Sequence, residues 1–377
     1  MKKAFVLTLF AIMSLALLSC GERTRDEEPT FDAKPIEGIA AIFDEELGFY
    51  NRDAVVLQLD DTTRVVYYTT NKEKNVEGDV IAMRMATLDG GSWVYGPRQI
   101  VLEPSSTGWD ARRVGSVSVV QGAFNYGGTT YGYLMAYQGN NIGAERNFQI
   151  GLAFAETPEG PWVKYGENPF IAYDPIVYGS QFGAGQPSLV SYDKAGQVRL
   201  FYTFADEAMT MTRLMELDLS NMDDIQGFGA YLTISVQGLE DRNLAVAPMM
   251  NNAGFAYDPI TSMLYAVRDR NPLASTPPNV AEQLQVVRAP LNILYEIEPI
   301  PPQWEIIARS IGETDTAVDD LLGWQRVYSG AFVTEGYGQL LEGNTLYIVF
   351  SSSAVASSPT DETYRYTPAV HILEIGR

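Results

Sequence analysis

Pro187-Ser-Leu-Val-Ser-Tyr-Asp-Lys-Ala-Gly-Gln-Val-Arg-Leu-Phe-Tyr202 reads as an apolar strand, a polar turn and a second strand ending in aromatic residues. The short apolar blocks and the Asp-Lys-Ala-Gly break are hairpin chemistry rather than helix periodicity. The same unit occurs five times: Ala54 to Tyr68, Ser116 to Tyr137, Pro187 to Tyr202, Ala253 to Val267 and Gly338 to Phe350, with starts 62, 71, 66 and 85 residues apart. A third strand follows most copies, and a tryptophan (Trp93, Trp162 or Trp304) opens a fourth in three of them. Nothing sustains the i, i+3, i+4, i+7 spacing of an amphipathic helix beyond two turns. The expectation is an all-β chain, a five-bladed β-propeller with four antiparallel strands per blade. The fifth copy runs out after Ile375, so Gly38-Ile-Ala-Ala-Ile-Phe43 is expected to close the last blade.

The N-terminus sets an address. Met1-Lys2-Lys3, an apolar run from Ala4 to Leu18, and Leu17-Leu18-Ser19-Cys20 have the layout of a bacterial lipoprotein signal. Residues 1–19 are therefore expected to be removed, Cys20 to take the lipid, residues 20–35 to form an acidic tether, and residues 36–377 to form the propeller. That places the chain in the bacterial cell envelope, periplasmic or at the cell surface, with the membrane as a partner through the Cys20 lipid. Cys20 is the only cysteine, so no intrachain disulfide can form. Of 26 basic residues, two lie in the signal, leaving 24 against 47 acidic ones. Such a field repels a polyanion, which excludes nucleic acid as a partner.

Three stretches carry a resemblance: Arg52-Asp53-Ala54-Val55-Val56; Ile150 to Trp162 with Asn168-Pro169-Phe170-Ile171; and Gly185-Gln186-Pro187-Ser188-Leu189 ahead of Leu200-Phe201-Tyr202-Thr203. Together they resemble the five-bladed glycoside hydrolase superfamily of arabinanases, β-xylosidases, levansucrases and invertases, families 43 and 32, and the related mannoside phosphorylases. The resemblance implies action on a plant or host oligosaccharide or polysaccharide, with Asp53 as the base, and the chain is expected to be a monomer. It also implies an acidic residue in blade two and a glutamic acid in blade three. Here Ser116 and Gln186 stand at those places, and an amide cannot donate a proton to a glycosidic oxygen.

A propeller offers its channel mouth as a site, lined by residues just ahead of each first strand. By that rule the substrate-binding candidates are Arg52, Trp109, Arg113, Gln186, Asn251, Asn252 and Tyr337, beside the catalytic candidates Asp53, Asp110 and Glu335. Amides and carboxylates suit sugar hydroxyl pairs, and tryptophan can stack on a pyranose face. Two readings follow: a glycosidase or phosphorylase with a rearranged acid, and a glycan-binding lipoprotein that has lost the acid. One cysteine and one histidine, His371, exclude zinc clusters and histidine-based triads. No cofactor or metal site is implied; a calcium ion in the channel is left open. If Cys20 is the acceptor, Cys20→Ser should abolish lipid labelling and detergent-phase partitioning; unchanged labelling would refute the assignment.

Overall fold

The computed structural model describes residues 48–227, 229–241, 243–270, 277–291, 304–312, 326–358 and 363–377. Cys20, the tether and the expected closing strand Gly38–Phe43 lie outside these residues. Strands dominate, in five consecutive units. Unit one holds β1 (Asn51–Asp60), β2 (Thr63–Asn71), β3 (Asp79–Asp89), β4 (Ser92–Tyr95) and β5 (Gln99–Leu102). Unit two holds β6 (Arg113–Tyr126), β7 (Thr129–Asn140), β8 (Gln149–Ala155) and β9 (Val163–Lys164). Unit three holds β10 (Gly183–Ser191), β11 (Gln197–Ala205), β12 (Thr210–Asp218) and β13 (Leu232–Thr233). Unit four holds β14 (Gly254–Asp258), β15 (Met263–Asp269), β16 (Gln283–Pro290) and β17 (Glu305–Gly312). Unit five holds β18 (Arg326–Glu335), β19 (Thr345–Ser353) and β20 (Ala369–Gly376).

Within each unit the strands pair antiparallel in chain order, as hairpin connections require. The apolar cores lie between units. One cluster joins units one and two around Tyr67 and Met135, another joins two and three around Phe154 and Leu200, and a third joins three and four around Phe201 and Phe255. The remaining two join four to five around Tyr265 and Phe332, and five to one around Val333 and Val56. Each unit thus buries both of its faces, and the fifth interface closes the ring: the chain is an all-β propeller.

Two features depart from the sequence reading. Units two, three and four are separate four-stranded sheets, but units five and one form one eight-stranded sheet through a parallel β1·β18 pair. Small residues explain the merger, because Ala54 and Val56 on β1 and Ala331 and Val333 on β18 let two inner strands approach within hydrogen-bonding distance. The second departure concerns the fifth hairpin. Its inner strand is Arg326–Glu335, and Gly338 belongs to the connection that follows.

That connection blocks one end of the channel. Gln121 N–H donates to the Gly336 carbonyl at 2.6 Å, Ser191 N–H to that of Tyr337 at 2.8 Å, and Tyr257 N–H to that of Gly338 at 3.1 Å. One loop of unit five is therefore tied to units two, three and four. Gly338 has φ +73°, and a Cβ there would lie 2.7 Å from the Leu189 carbonyl oxygen. Gly338→Ala should cost about 1–3 kcal/mol, from left-handed strain and backbone overlap together. Gly376→Ala, where a Cβ meets nothing within 4 Å, should stay within about 0.5 kcal/mol. Denaturant unfolding of both variants tests the plug: equal stabilities would refute it.

Candidate functional site

Five residues open the inner strands at the unblocked end: Asp53, Ser116, Gln186, Asn252 and Ser329. All five are in the left-handed region, with φ of 53°, 42°, 52°, 47° and 52°. Asparagine and aspartate tolerate this conformation better than glutamine or serine, so its repetition needs a structural cause. Four of the five sit at register breaks in the hairpin ladder, between Arg52 and Val55, Gly115 and Ser118, Gly185 and Ser188, and Tyr328 and Ala331. Such a bulge frees the residue's N–H from its own hairpin.

The freed N–H bonds to the preceding unit. Asp53 N–H donates to Ser351 Oγ, Ser116 to Thr69 Oγ1, Gln186 to Gln138 Oε1, Asn252 to Thr203 Oγ1 and Ser329 to Asp269 Oδ1. Every one of these distances is 2.9 Å. The acceptor always comes from a unit's second strand near its mouth end, so the five bonds run once around the axis. In this geometry the five side chains converge on one cavity, lined also by the two residues that follow each of them. Its volume is about 40 Å³. That is room for a water or two, against the roughly 300–1,000 Å³ of pockets that enclose a small molecule. Any ligand larger than a water or two would therefore lie across the mouth and send single groups into it.

The chemistry of the lining is uneven. Asp53, 8% exposed, accepts from Arg52 Nη1 at 2.9 Å and Ser116 Oγ at 3.0 Å on the same oxygen, Oδ2. Arg52 also reaches Asp79 Oδ2 at 2.8 Å, and Tyr50 donates to the other Asp79 oxygen at 2.5 Å. Burial would raise the Asp79 carboxyl, but Arg52 and Arg113 beside it prevail and hold it below the usual range. Gln186 Oε1 is buried with no hydrogen-bond partner. An acceptor of this kind is costly unless a donor arrives, which marks it as a contact point for water or a hydroxyl.

A second carboxylate near the mouth was not anticipated. Asp269, on β15, accepts from Ser329 N–H on Oδ1 and from Asn252 Nδ2 on Oδ2 at 2.8 Å. Burial pushes its carboxyl up to about 7, with the Asp53 charge adding to the rise against the two donors. The buried Tyr328 hydroxyl is raised by burial and by both of these carboxylates. Asp53, Asp269 and Tyr328 thus share one electrostatic neighbourhood.

Of the residues expected at the mouth, Asp53, Gln186 and Asn252 line the cavity. Arg52 supports Asp53, and Arg113 lies further out, bonded to Asp79 at 3.7 Å and to Glu145. Asn251 is outside the lining, though its buried Oδ1 also lacks a partner. Trp109 is a packing residue: its ring stacks on Tyr137 at 5.7 Å, against Gly139 and Gly151, where any side chain would collide with it. Asp110 is buried and bonded to Lys164 Nζ at 2.6 Å and Tyr137 Oη at 3.2 Å, away from the cavity. Glu335 and Tyr337 belong to the plugged end. There Glu335 pairs with Lys194 at 2.7 Å, and the same ammonium sits 5.1 Å above the Tyr337 ring. The fifth inner strand starts at Arg326, ahead of the Gly338 segment, so Ser329 reaches the mouth while Glu335 and Tyr337 end at the opposite side. Among the described residues no group of three or more His, Cys, Asp or Glu side chains could hold a metal ion, and no helix is long and apolar enough to cross a membrane.

Solved structures similar to this one include glycoside hydrolases. A family 117 glycoside hydrolase of the marine bacterium Zobellia galactanivorans superposes with a TM-score of 0.52 at 14% identity, over 89% of this chain and 87% of that one. An α-L-arabinofuranosidase from Lactobacillus brevis gives 0.55 at 10% identity over 86% and 90%. A family 43 subfamily 1 enzyme from Xanthomonas citri, complexed with xylotriose, gives 0.52 at 10% identity over 89% of each chain. The chain shares the fold of these propeller glycoside hydrolases. No sequence family and no curated protein sequence matches it.

The Asp269 environment has a measurable sign. A carboxyl raised in the folded state contributes stability that is fully present below its unfolded pKa, near 3.8, and is lost as pH rises through about 7. The stability of wild type relative to Asp269→Asn should therefore fall between pH 4 and pH 7.5. His371, held down at about 4 by burial, adds an opposing trend over much of that window, but it is common to both proteins and cancels in the difference. A flat difference would place Asp269 outside a neutral, desolvated site.

Proposed function

We propose that the chain is a carbohydrate-binding propeller built on the glycoside hydrolase fold, held at the cell envelope by a lipid on Cys20, which receives an oligosaccharide across the open mouth. The observation that carries this reading is the composition of the five equivalent positions. One carboxylate, two hydroxyls and two amides face the cavity, and the Gln186 oxygen has no partner. Such a set can accept and donate hydrogen bonds to sugar hydroxyls but contains no proton donor for a leaving oxygen.

A second reading rests on Asp269. Two carboxyls in one neighbourhood whose surroundings differ, Asp53 bonded to an arginine and Asp269 raised to about 7, form the arrangement from which glycosidases draw a base and an acid. In this reading Asp53 activates water and Asp269 protonates the leaving oxygen. Against it stands the engagement of both Asp269 oxygens within the ring.

Titration of neutral and acidic plant and host oligosaccharides, paired with an assay for released reducing ends, separates the two. Binding without turnover is expected, and Gln186→Ala should weaken it up to about tenfold, the scale of one hydrogen bond of up to about 1.5 kcal/mol. Hydrolysis by wild type that disappears in both Asp53→Asn and Asp269→Asn, with binding retained, would replace the first reading by the second.

A further inference from the structure

Around the mouth of unit two the local charge differs from that of the chain. Net charge overall is -21, yet Arg112, Arg113 and Arg146 cluster at the entrance to β6. All three are mounted on one buried residue, Asn140. Arg113 pairs with it in the β6·β7 ladder, Arg112 N–H donates to its carbonyl at 3.0 Å, and its Nδ2 donates to the Arg146 carbonyl at 2.9 Å. Arg113 is occupied by Asp79, Glu145 and the Gly143 carbonyl, and through Asp79 it is linked to Arg52 and so to Asp53. Arg112 and Arg146 are exposed, and neither guanidinium has an ion-pair or hydrogen-bond partner among the described residues. The carboxylates nearest to them in the chain, Asp110 and Glu145, are engaged by Lys164 and Arg113, which leaves Arg112 and Arg146 open to an external anion.

Resting on the reading of the mouth as a glycan site, we infer that the ligand is an acidic sugar, whose carboxylate or sulfate is held by Arg112 and Arg146 while its hydroxyls face Gln186 and Asp53. A guanidinium presents a planar fork of N–H donors that fits either group in bidentate fashion. The surrounding charge limits how acidic the ligand is. At physiological salt the field decays over about 8 Å, so an isolated anionic group feels the arginines beside it, whereas a polyanion extends into the negative remainder. The fitting class is an otherwise neutral oligosaccharide bearing single uronate or sulfate groups.

Calorimetric titration with matched oligosaccharides tests this: a neutral xylo-oligosaccharide against the same chain bearing one glucuronate branch, and a neutral galacto-oligosaccharide against its mono-sulfated form. At least one acidic member should bind about tenfold more tightly than its neutral partner, with the preference shrinking between 20 and 300 mM NaCl. Preference in the glucuronate arm alone, or in the sulfate arm alone, identifies the group. The Arg112→Ala/Arg146→Ala double variant should bring the ratio to about one. Arg112→Lys/Arg146→Lys, which keeps charge without the fork, should retain only part of it, and unchanged melting temperatures exclude a folding defect. Equal binding of neutral and acidic partners by wild type, or a preference that survives the double alanine variant, would overturn the inference and leave the mouth as a neutral-glycan site. Binding of no oligosaccharide of either kind would overturn that reading and the inference with it.

Discussion

Five backbone N–H groups, each donated at 2.9 Å to a side chain of the preceding unit, fix the open end of this propeller. They resolve a conflict built into the fold. Inner strands of neighbouring units run side by side around one small cavity, and among the described residues they pair by backbone only at the seam of units one and five. Elsewhere the strand breaks register, turns one residue left-handed and offers its N–H sideways. The strain of that residue, of order 1–3 kcal/mol, persists because its N–H would otherwise be buried without a partner, a comparable cost. Since the bond uses the main chain, the side chain at the same position is released from structural duty. Asp, Ser, Gln, Asn and Ser can all occupy equivalent places, and the chemistry of the mouth can change while the ring does not.

The two ends of the channel are unlike for a related reason. At the far end, main-chain bonds from Gln121, Ser191 and Tyr257 draw the unit-five loop across the axis, and Gln339 is buried there with its amide on the Ser191 carbonyl at 3.1 Å. A blind channel of about 40 Å³ leaves its rim as the surface open to anything larger than water. The polar network that leads outward from Asp53 through Arg52, Asp79 and Arg113 therefore matters as much as the cavity, since it sets the charge a ligand meets first.

The sequence displays the hairpins clearly because a Tyr- or Phe-rich second strand follows each polar turn, and those aromatics fill the cores between units. Four of the five ring residues were also legible as the residues just ahead of, or opening, an apolar first strand. The fifth was not. Gly338-Gln339-Leu340 imitates a strand opening but serves as the plug, and Tyr328-Ser329-Gly330-Ala331 carries little apolar signal because Ala331 faces the crowded β1·β18 seam. A second signal ran through the chain: a polar residue late in each second strand, Thr69, Gln138, Thr203, Asp269 and Ser351. An acceptor role for a neighbouring unit has no periodicity within its own strand, so it leaves no pattern in the sequence. Trp109 and Asp110 misled for the opposite reason, being functional residue types whose partners, Tyr137 and Lys164, lie 28 and 54 residues further along the chain.

Unit four holds the one acceptor in the ring that can carry a charge. Thr69, Gln138, Thr203 and Ser351 make the same bond with neutral oxygens, so the fold does not require a carboxyl at Asp269 and bears a desolvation cost by keeping one there. Its two donors stabilise the charged form while burial and Asp53 oppose it, and the balance near 7 leaves a group able to lose a proton at neutral pH. Reaching a glycosidic oxygen is another matter. Asp269 would have to release Ser329 N–H, which orphans a buried donor at the interface of units four and five, or release Asn252 and turn that side chain into the mouth. The second route leaves the ring intact, because Asn252 holds its place through its own N–H on Thr203. An Asn252 side chain turned away would thus free Asp269 Oδ2 of its donor at no cost to the backbone bonds that hold the ring.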